Sequence, residues 1–223
     1  MEKGYVIVDS VFSNEEITAM IRLIETAESS RPQFRKTKEV FAIRRFLKQL
    51  PAAASLIFND NFKSLVHEAA GPKHFVIKSI YFDKPEGSNW FVAWHQDLTI
   101  AVDKKTAHPG YSSWTVKQGA YAVQPPIDIL ENSFTFRIHL DDTDEHNGAL
   151  KVIPYSHNRG IVRPESSAIE QGEFCTVHAG GVMVMRPLLL HASGRVQNNR
   201  RRRVIHIEFC DRELPGGLGW AEA

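Results

Sequence analysis

Trp90-Phe91-Val92-Ala93-Trp94-His95-Gln96-Asp97 is the stretch from which the rest of the chain can be read. The apolar, aromatic run from Trp90 to Trp94 predicts a buried strand. Side chains two apart on a strand share a face, so His95 and Asp97 project together while Gln96 points away. One imidazole and one carboxylate then converge on one point. A histidine from far along the chain would complete a two-His-one-carboxylate set, the arrangement that leaves open positions on non-haem Fe(II). His191, delivered by the apolar run Pro187-Leu188-Leu189-Leu190, is the residue placed to do so. His95, Asp97 and His191 are therefore the expected metal ligands and catalytic set.

Two other His-x-acid patterns compete. His206-Ile207-Glu208 has no histidine after it to act as a distal ligand. His139-Leu140-Asp141 is more serious, but fewer strand-like runs separate it from His191 than separate Asp97 from His191. A jelly roll brings its ligands from strands well apart in order, which favours the earlier pair.

Upstream, Gly4 to Asp9 predicts a strand. A helix then starts at Ser13, where Ser13 and Glu16 have capping-box spacing and Ile17, Met20, Ile21 and Ile24 recur at helical intervals. Residues 29–40 are polar and basic and read as a loop. Phe41 to Leu50 fits helix and strand equally. Asp60 to Ala70 predicts a second helix stopped by Gly71-Pro72, and His74 to Asp83 alternates as a strand. From there, short strand-like runs alternate with Gly- and Pro-rich turns: Phe91 to Asp97, Thr115 to Val123, Ser133 to Leu140, Ala149 to Ile153, Glu173 to His178, Val182 to Arg186 and Arg202 to Phe209. That pattern predicts a mainly β domain with flanking N-terminal helices, a sandwich or jelly roll. One domain is expected over residues 1–223, with a helical part at about 10–72 and a jelly-roll core at about 74–210. Residues 107–113 read as a flexible loop placed to cover the site. Trp90, Phe91 and Trp94 read as core, Asn147-Gly148 as a tight turn, and His157 as structural.

The 223 residues are 43% hydrophobic and 24% charged, with a formal net charge of +1, so no overall field points to nucleic acid or an anionic membrane surface. The two cysteines, Cys175 and Cys210, cannot form a disulfide framework, and neither a signal peptide nor a membrane-length apolar run is present. A reducing cytoplasmic setting is expected, with a small-molecule partner; nothing in the sequence speaks to oligomeric state.

After His191, Ala192-Ser193-Gly194 is followed by Arg202 in the run Arg200-Arg201-Arg202-Arg203. An arginine on a return strand offers a planar pair of donors to a carboxylate, and Ser193 adds a hydroxyl. Arg202 and Ser193 are thus expected to bind an anionic cofactor, with Lys78 as a further candidate. Spacing selects Arg202 over its neighbours. Arg137 and His139 share one strand face, and if that face is interior, two buried polar groups need a reason such as a substrate to be there.

Taken in order, Trp94-His95-Gln96-Asp97, Arg137-Ile138-His139-Leu140-Asp141-Asp142, Asn147-Gly148-Ala149-Leu150-Lys151-Val152-Ile153-Pro154-Tyr155-Ser156-His157, and His191-Ala192-Ser193 with Arg202 resemble the phytanoyl-CoA dioxygenase family of Fe(II)/2-oxoglutarate-dependent oxygenases. The resemblance spans about residues 75–210. It implies a double-stranded β-helix, iron held by His95, Asp97 and His191, and 2-oxoglutarate anchored through its distal carboxylate by Arg202 and Ser193. Fe(II), 2-oxoglutarate and O2 are the implied cofactors, with succinate and CO2 released and a hydroxyl placed on the substrate. Tyr155 stands where the family usually has glycine, a departure that bears on the shape of that turn, and the chain is short for the family, which weakens the carry-over of a large acyl-CoA substrate.

The expected function is hydroxylation of a small molecule. Lys78, Arg137, Arg44 and Arg45 are basic residues that fall near the proposed ligands, and they point to an acidic one. A metal-dependent cupin-like isomerase and a catalytically silent jelly-roll binding module are the alternatives. Arg202 with Ser193 argues against the isomerase, and the intact ligand set against the silent module.

Overall fold

A computed structural model describes residues 1–30, 35–36, 41–86, 90–117, 120–162 and 172–223. The chain opens with strand β1 (Tyr5–Val8) and helix α1 (Asn14–Ser30). The capping box forms as the spacing predicts: the Ser13 N–H donates to Glu16 Oε2 at 2.8 Å and the Glu16 N–H to Ser13 Oγ at 3.2 Å. Such a cap stabilises a helix by about 1 kcal/mol. Ile17, Met20, Ile24 and Ala27 form the buried stripe of α1.

The polar segment expected as a loop is partly structured, since α1 continues through Ser30 and Arg35–Lys36 form strand β2. The rest of that expectation lies outside the described residues. The ambiguous segment holds both alternatives: strand β3 (Phe41–Arg44) turns through Arg45, at a left-handed φ of 53°, into helix α2 (Phe46–Gln49). Helix α3 (Ala53–Ile57) follows, unforeseen because it is short. Helix α4 (Asp60–Ala69) is capped by Asn59, whose side chain accepts from the Phe62 N–H at 2.8 Å.

The β part begins with β4 (Phe75–Lys84), which starts and ends one residue later than its alternation suggested, and β5 (Val92–His95). Thr115 to Val123 is not one strand. It is divided between β7 (Ser112–Lys117) and β8 (Ala120–Gln124), which pair with β6 (Ile100–Val102) in a three-stranded sheet. Residues 107–113 belong to this sheet's surroundings and are not a cover for the site, because Tyr111 is buried in the core beneath it. After helix α5 (Ile127–Glu131) come β9 (Ser133–His139), β10 (Leu150–Val152), β11 (Glu173–Cys175), β12 (Val182–Met185), β13 (His191–Ser193) and β14 (Arg202–Cys210).

Two sheets form the double-stranded β-helix. The larger has the order β1-β12-β9-β14-β4-β3-β2 and the smaller β11-β10-β13-β5, with antiparallel pairing throughout. The outer face of the larger sheet carries Tyr81, Phe136, Ile138, Ile205, Ile207 and Phe209, which pack on Met20, Ile24, Phe62 and Val66 of the helices. Period-two alternation then forces Arg137, His139, Arg202, His206 and Glu208 to the opposite face, inside the roll. All five are buried. The question left open for Arg137 and His139 is thereby answered: their shared face is interior. Burying charge without a partner is expensive, so this face is built for ligands or for pairing.

Candidate functional site

His95 and His191 are register partners on β5 and β13, which sets their rings side by side with centroids 4.2 Å apart. β5 ends at His95, and Asp97 is instead fixed by its own N–H, which donates to Pro187 O at 2.9 Å. Gln96 points away as alternation requires. Its amide donates to Gly160 O and Leu188 O, and its oxygen accepts from the Val162 N–H, so it braces the loop behind the site.

Each histidine is oriented by its own backbone. His95 Nδ1 lies 2.8 Å from Ala93 O, and His191 Nδ1 lies 2.8 Å from Leu189 O. A carbonyl can only accept, so Nδ1 carries the proton in both rings and Nε2 is left with a lone pair. Those two Nε2 atoms stand 3.9 and 3.8 Å from the Asp97 oxygens. Burial pushes His191 down to about 4, so it is a neutral ligand near pH 7. Burial raises Asp97, but His191, Lys78, His206 and His95 outweigh it and hold the carboxyl below the usual carboxylate range. Donor atoms of His95, Asp97 and His191 all lie within 4.8 Å of one another. Two imidazole lone pairs and one carboxylate on one side of a cavity fit the donor set of a non-haem Fe(II) centre.

A second set, Asp97, His206 and Glu208, is equally close. Cations already occupy it: Lys78 Nζ is 2.7 Å from Glu208 Oε1, and Arg137 Nη1 is 3.2 Å from His206 Nδ1. This is also where the expectation for Lys78 is overturned. Lys78 faces inward, but Glu208 on the neighbouring strand takes its charge, and Lys78 does not line the cavity. Arg44 and Arg45 do not line it either.

The cavity, about 100 Å³ in volume and partly open to solvent, is walled by the three ligand candidates with Phe82, Trp90, Val92, Arg137, Leu150, Ser193, Arg202 and His206. Trp90 therefore faces the site and not the core, while Phe91 is 53% exposed because β5 is an edge strand. His139 is buried beside the cavity, bonded to Thr143 Oγ1 at 2.9 Å, with burial and the charges of Arg137 and Arg202 keeping it neutral. Its rival partner Asp141 turns outward to a bidentate pair with Arg203 at 2.7 and 2.9 Å.

Of the four consecutive arginines, Arg200 pairs with Asp144, Arg201 with Asp83 and Arg203 with Asp141, while Arg202 alone turns inward. Arg202 Nη1 donates to Gly148 O and lies 3.5 Å from Ser193 Oγ; its Nε, fully buried, has no partner among the described residues. Burial, then the charge of Arg137, lowers Arg202 to about 9. Ser193 Oγ donates to Gly148 O at 2.9 Å. Asn147-Gly148 is thus more than a turn, since its carbonyl organises this corner.

Lys84 completes the corner and was not foreseen. It is fully buried at the register position opposite Arg202, with Nζ 2.5 Å from Gly194 O, 3.5 Å from Ser193 Oγ and 5.1 Å from the Trp90 ring centroid. Burial, followed by Arg202, pulls it down to about 7. Its sequence signal was the alternation of β4 carried one residue further. Two cations and a hydroxyl around an unfilled guanidinium donor make a carboxylate receptor.

Residues 1–204 match the phytanoyl-CoA dioxygenase family. A curated relative, a probable alpha-ketoglutarate-dependent hypophosphite dioxygenase of Stutzerimonas stutzeri, is 24% identical, with 94% of this chain aligned to 76% of the relative. Solved structures with the same fold include the non-haem alpha-ketoglutarate-dependent carbocyclase SnoK from nogalamycin biosynthesis, with TM-score 0.69, 18% identity, and coverage of 94% of this chain and 80% of that one. Another is EctD from S. alaskensis with 2-oxoglutarate and 5-hydroxyectoine, with TM-score 0.69, 19% identity, and coverage of 94% and 72%. The chain belongs to the phytanoyl-CoA dioxygenase family and is a non-haem iron dioxygenase that uses Fe(II), 2-oxoglutarate and O2.

Proposed function

We propose that this enzyme hydroxylates a small acidic molecule, converting 2-oxoglutarate and O2 to succinate and CO2. The observation that carries the reading is the pairing of two carbonyl-oriented histidines and Asp97 with the buried guanidinium groups of Arg137 and Arg202 in one cavity. His95, Asp97 and His191 hold Fe(II), which supplies the activation of O2 coupled to oxidative decarboxylation of 2-oxoglutarate. Arg202, Lys84 and Ser193 grip the distal carboxylate of 2-oxoglutarate and so fix where its keto acid end lies. Trp90, Phe82, Val92 and Leu150 present an apolar wall that limits water around the reacting groups. The helices and the larger sheet of the β-helix share one core, which supports a single working domain.

The acidic character follows from charge. Lys78, Lys84, Arg137 and Arg202 face the interior against the carboxylates of Asp97 and Glu208. Fe(II) and the 2-oxoglutarate dianion offset each other, so the cationic surplus stays until a further anion binds. Arg137 is the residue left to receive it. The hypophosphite named for the Stutzerimonas relative is such an anion.

The test is succinate release by anaerobically reconstituted protein after admission of O2, first alone and then with a panel of anionic and neutral metabolites and hypophosphite. Succinate formed only with His95, Asp97 and His191 intact, and stimulated by anions, is expected. No succinate under any condition would overturn the reading. Stimulation by neutral compounds alone would overturn the acidic substrate.

A further inference from the structure

In the His206-Ile207-Glu208 pattern both polar side chains are already paired with cations. Arg137 and His206 are register partners on β9 and β14. Arg137 Nη1 lies 3.2 Å from His206 Nδ1, and a guanidinium can only donate, so Nδ1 is the acceptor and the ring proton sits on Nε2. That N–H donates to Glu208 Oε1 at 2.8 Å, and Glu208 in turn is held by Lys78 at 2.7 Å. Phe82 packs edge-on against the imidazole at a centroid distance of 6.0 Å and 87°. The ring can neither rotate nor change tautomer without breaking one of these contacts.

This line of bonds runs from Lys78 through Glu208 and His206 and ends on Arg137 at the cavity wall. It ends on a cation with donor capacity to spare, because Arg137 Nε is buried and has no partner among the described residues. The nearby carboxylate, Asp97, belongs to the proposed iron ligands. A buried, aimed and unfilled guanidinium is a receptor for an anion from outside.

The same geometry limits the size of that anion. Arg137 is one hydrogen bond from the His206 imidazole, and a ring nitrogen of His206 lies within 4.8 Å of an Asp97 oxygen. The cavity's volume of about 100 Å³ is below the range of about 300–1,000 Å³ typical of a site for a drug-sized ligand, and 2-oxoglutarate would take part of it. An anion docked on Arg137 brings to the iron ligands only atoms next to its charged head.

We propose that Arg137 anchors a compact oxyanion, a short carboxylate, phosphonate or phosphinate, whose reacting X–H bond lies one or two bonds from the anionic head, and that His206 is a positioning residue aiming Arg137. In the reaction X–H becomes X–OH with one atom of O2, the other atom enters succinate, and 2-oxoglutarate supplies the two electrons by losing CO2. This inference rests on the proposed function and narrows its substrate class.

The test is anaerobic calorimetry of the full chain loaded with Fe(II) and 2-oxoglutarate, titrated with methylphosphonate, propionate, octanoate and propionamide. Methylphosphonate or propionate should bind, and the one that binds distinguishes a phosphorus from a carbon head; octanoate and propionamide should not. Arg137→Ala and His206→Leu should each weaken that binding roughly ten- to a hundredfold, the usual effect of losing a charge-assisted hydrogen bond. His206→Gln should recover part of it, because its amide oxygen can still accept from Arg137, and its defect should fall on the KM for the anion more than on kcat. Binding of 2-oxoglutarate should be unchanged in all three, and thermal melting identifies any variant that fails to fold, in which case His206→Gln decides. Preference for octanoate or propionamide, no binding of either compact anion, or wild-type affinity in His206→Leu would overturn the inference. Succinate release keeps the two proposals apart: its absence under every condition condemns the proposed function, whereas succinate release with compact anions ignored condemns only this inference.

Discussion

Arg202 and Lys84 are register partners across β14 and β4, and both side chains turn to the inner face, where they flank Ser193. Two cations at one buried corner repel, and the cost falls on the one that can lose its proton. Lys84, drawn down to about 7 first by burial and then by Arg202, is that group.

The pH dependence follows with a definite sign. The folded pKa of Lys84 lies below its ordinary value of 10.5, so between about 7 and 10.5 the unfolded chain holds a proton that the folded chain has released. Stability of the ligand-free protein should therefore rise with pH through that window, and the penalty is fully present below it. Melting temperatures across the window should show the rise, and Lys84→Met should flatten it. The incoming 2-oxoglutarate dianion favours the charged lysine, so its binding near neutral pH should take up a proton. Calorimetry in two buffers of different ionisation enthalpy measures this directly, and identical heats would place the carboxylate elsewhere.

The metal ligands predict a loss pattern. Ala replacement of His95, Asp97 or His191 should each abolish turnover and Fe(II) retention during anaerobic gel filtration, because each supplies one donor of a three-donor set. Asp97→Gly opens a position and should also lose hydroxylation. Retained iron in His95→Ala, or full hydroxylation in Asp97→Gly, would mean that the ligand set is wrong.

Strand phase predicts which arginine matters. Arg202→Ala should weaken 2-oxoglutarate by roughly a hundredfold or more, since stranding one partner of a buried charge pair costs about 3–5 kcal/mol. Arg202→Lys should recover only part, lacking the planar fork. Arg201→Ala and Arg203→Ala remove ion pairs with Asp83 and Asp141 on the other side of the strand and should lower stability without that effect. A matched comparison of 2-oxoglutarate affinity and melting temperature separates the two.

The parts of this site that could be read beforehand are those written in local spacing. His95 and Asp97 follow from a two-residue repeat, and Arg202 from its spacing after His191. What could not be read is pairing across the sheet. Lys78 and Lys84 are three same-face positions apart on one strand, and nothing local distinguishes them. Only the register with β14 gives Lys78 an acid, Glu208, and Lys84 another cation, Arg202. The same blindness hid the link between Arg137 and His206. Tyr155 shows the converse: its departure from the family's glycine was legible, and its φ of 65° shows that this turn still asks for a left-handed residue.

Gly148 is the position where backbone conformation and cosubstrate binding meet. Its φ is +86°, and an added Cβ would stand 3.0 Å from Lys84 Nζ and 3.1 Å from the backbone oxygen of Gly194. Left-handed backbone costs a non-glycine residue about 1–2 kcal/mol, and the Gly194 contact cannot be relieved by a side-chain rotation. The Gly148 carbonyl meanwhile accepts from both Arg202 and Ser193. Gly148→Ala should thus lower stability by about 1–2 kcal/mol and, by tilting that carbonyl, also weaken 2-oxoglutarate binding. A surface glycine at positive φ away from the site, Gly71, provides the control: Gly71→Ala carries similar backbone strain, has no close contact beyond His74 at 3.9 Å, and should leave 2-oxoglutarate affinity intact. If both variants lose stability alike and neither loses affinity, the Asn147-Gly148 turn supports the fold but does not shape the carboxylate corner.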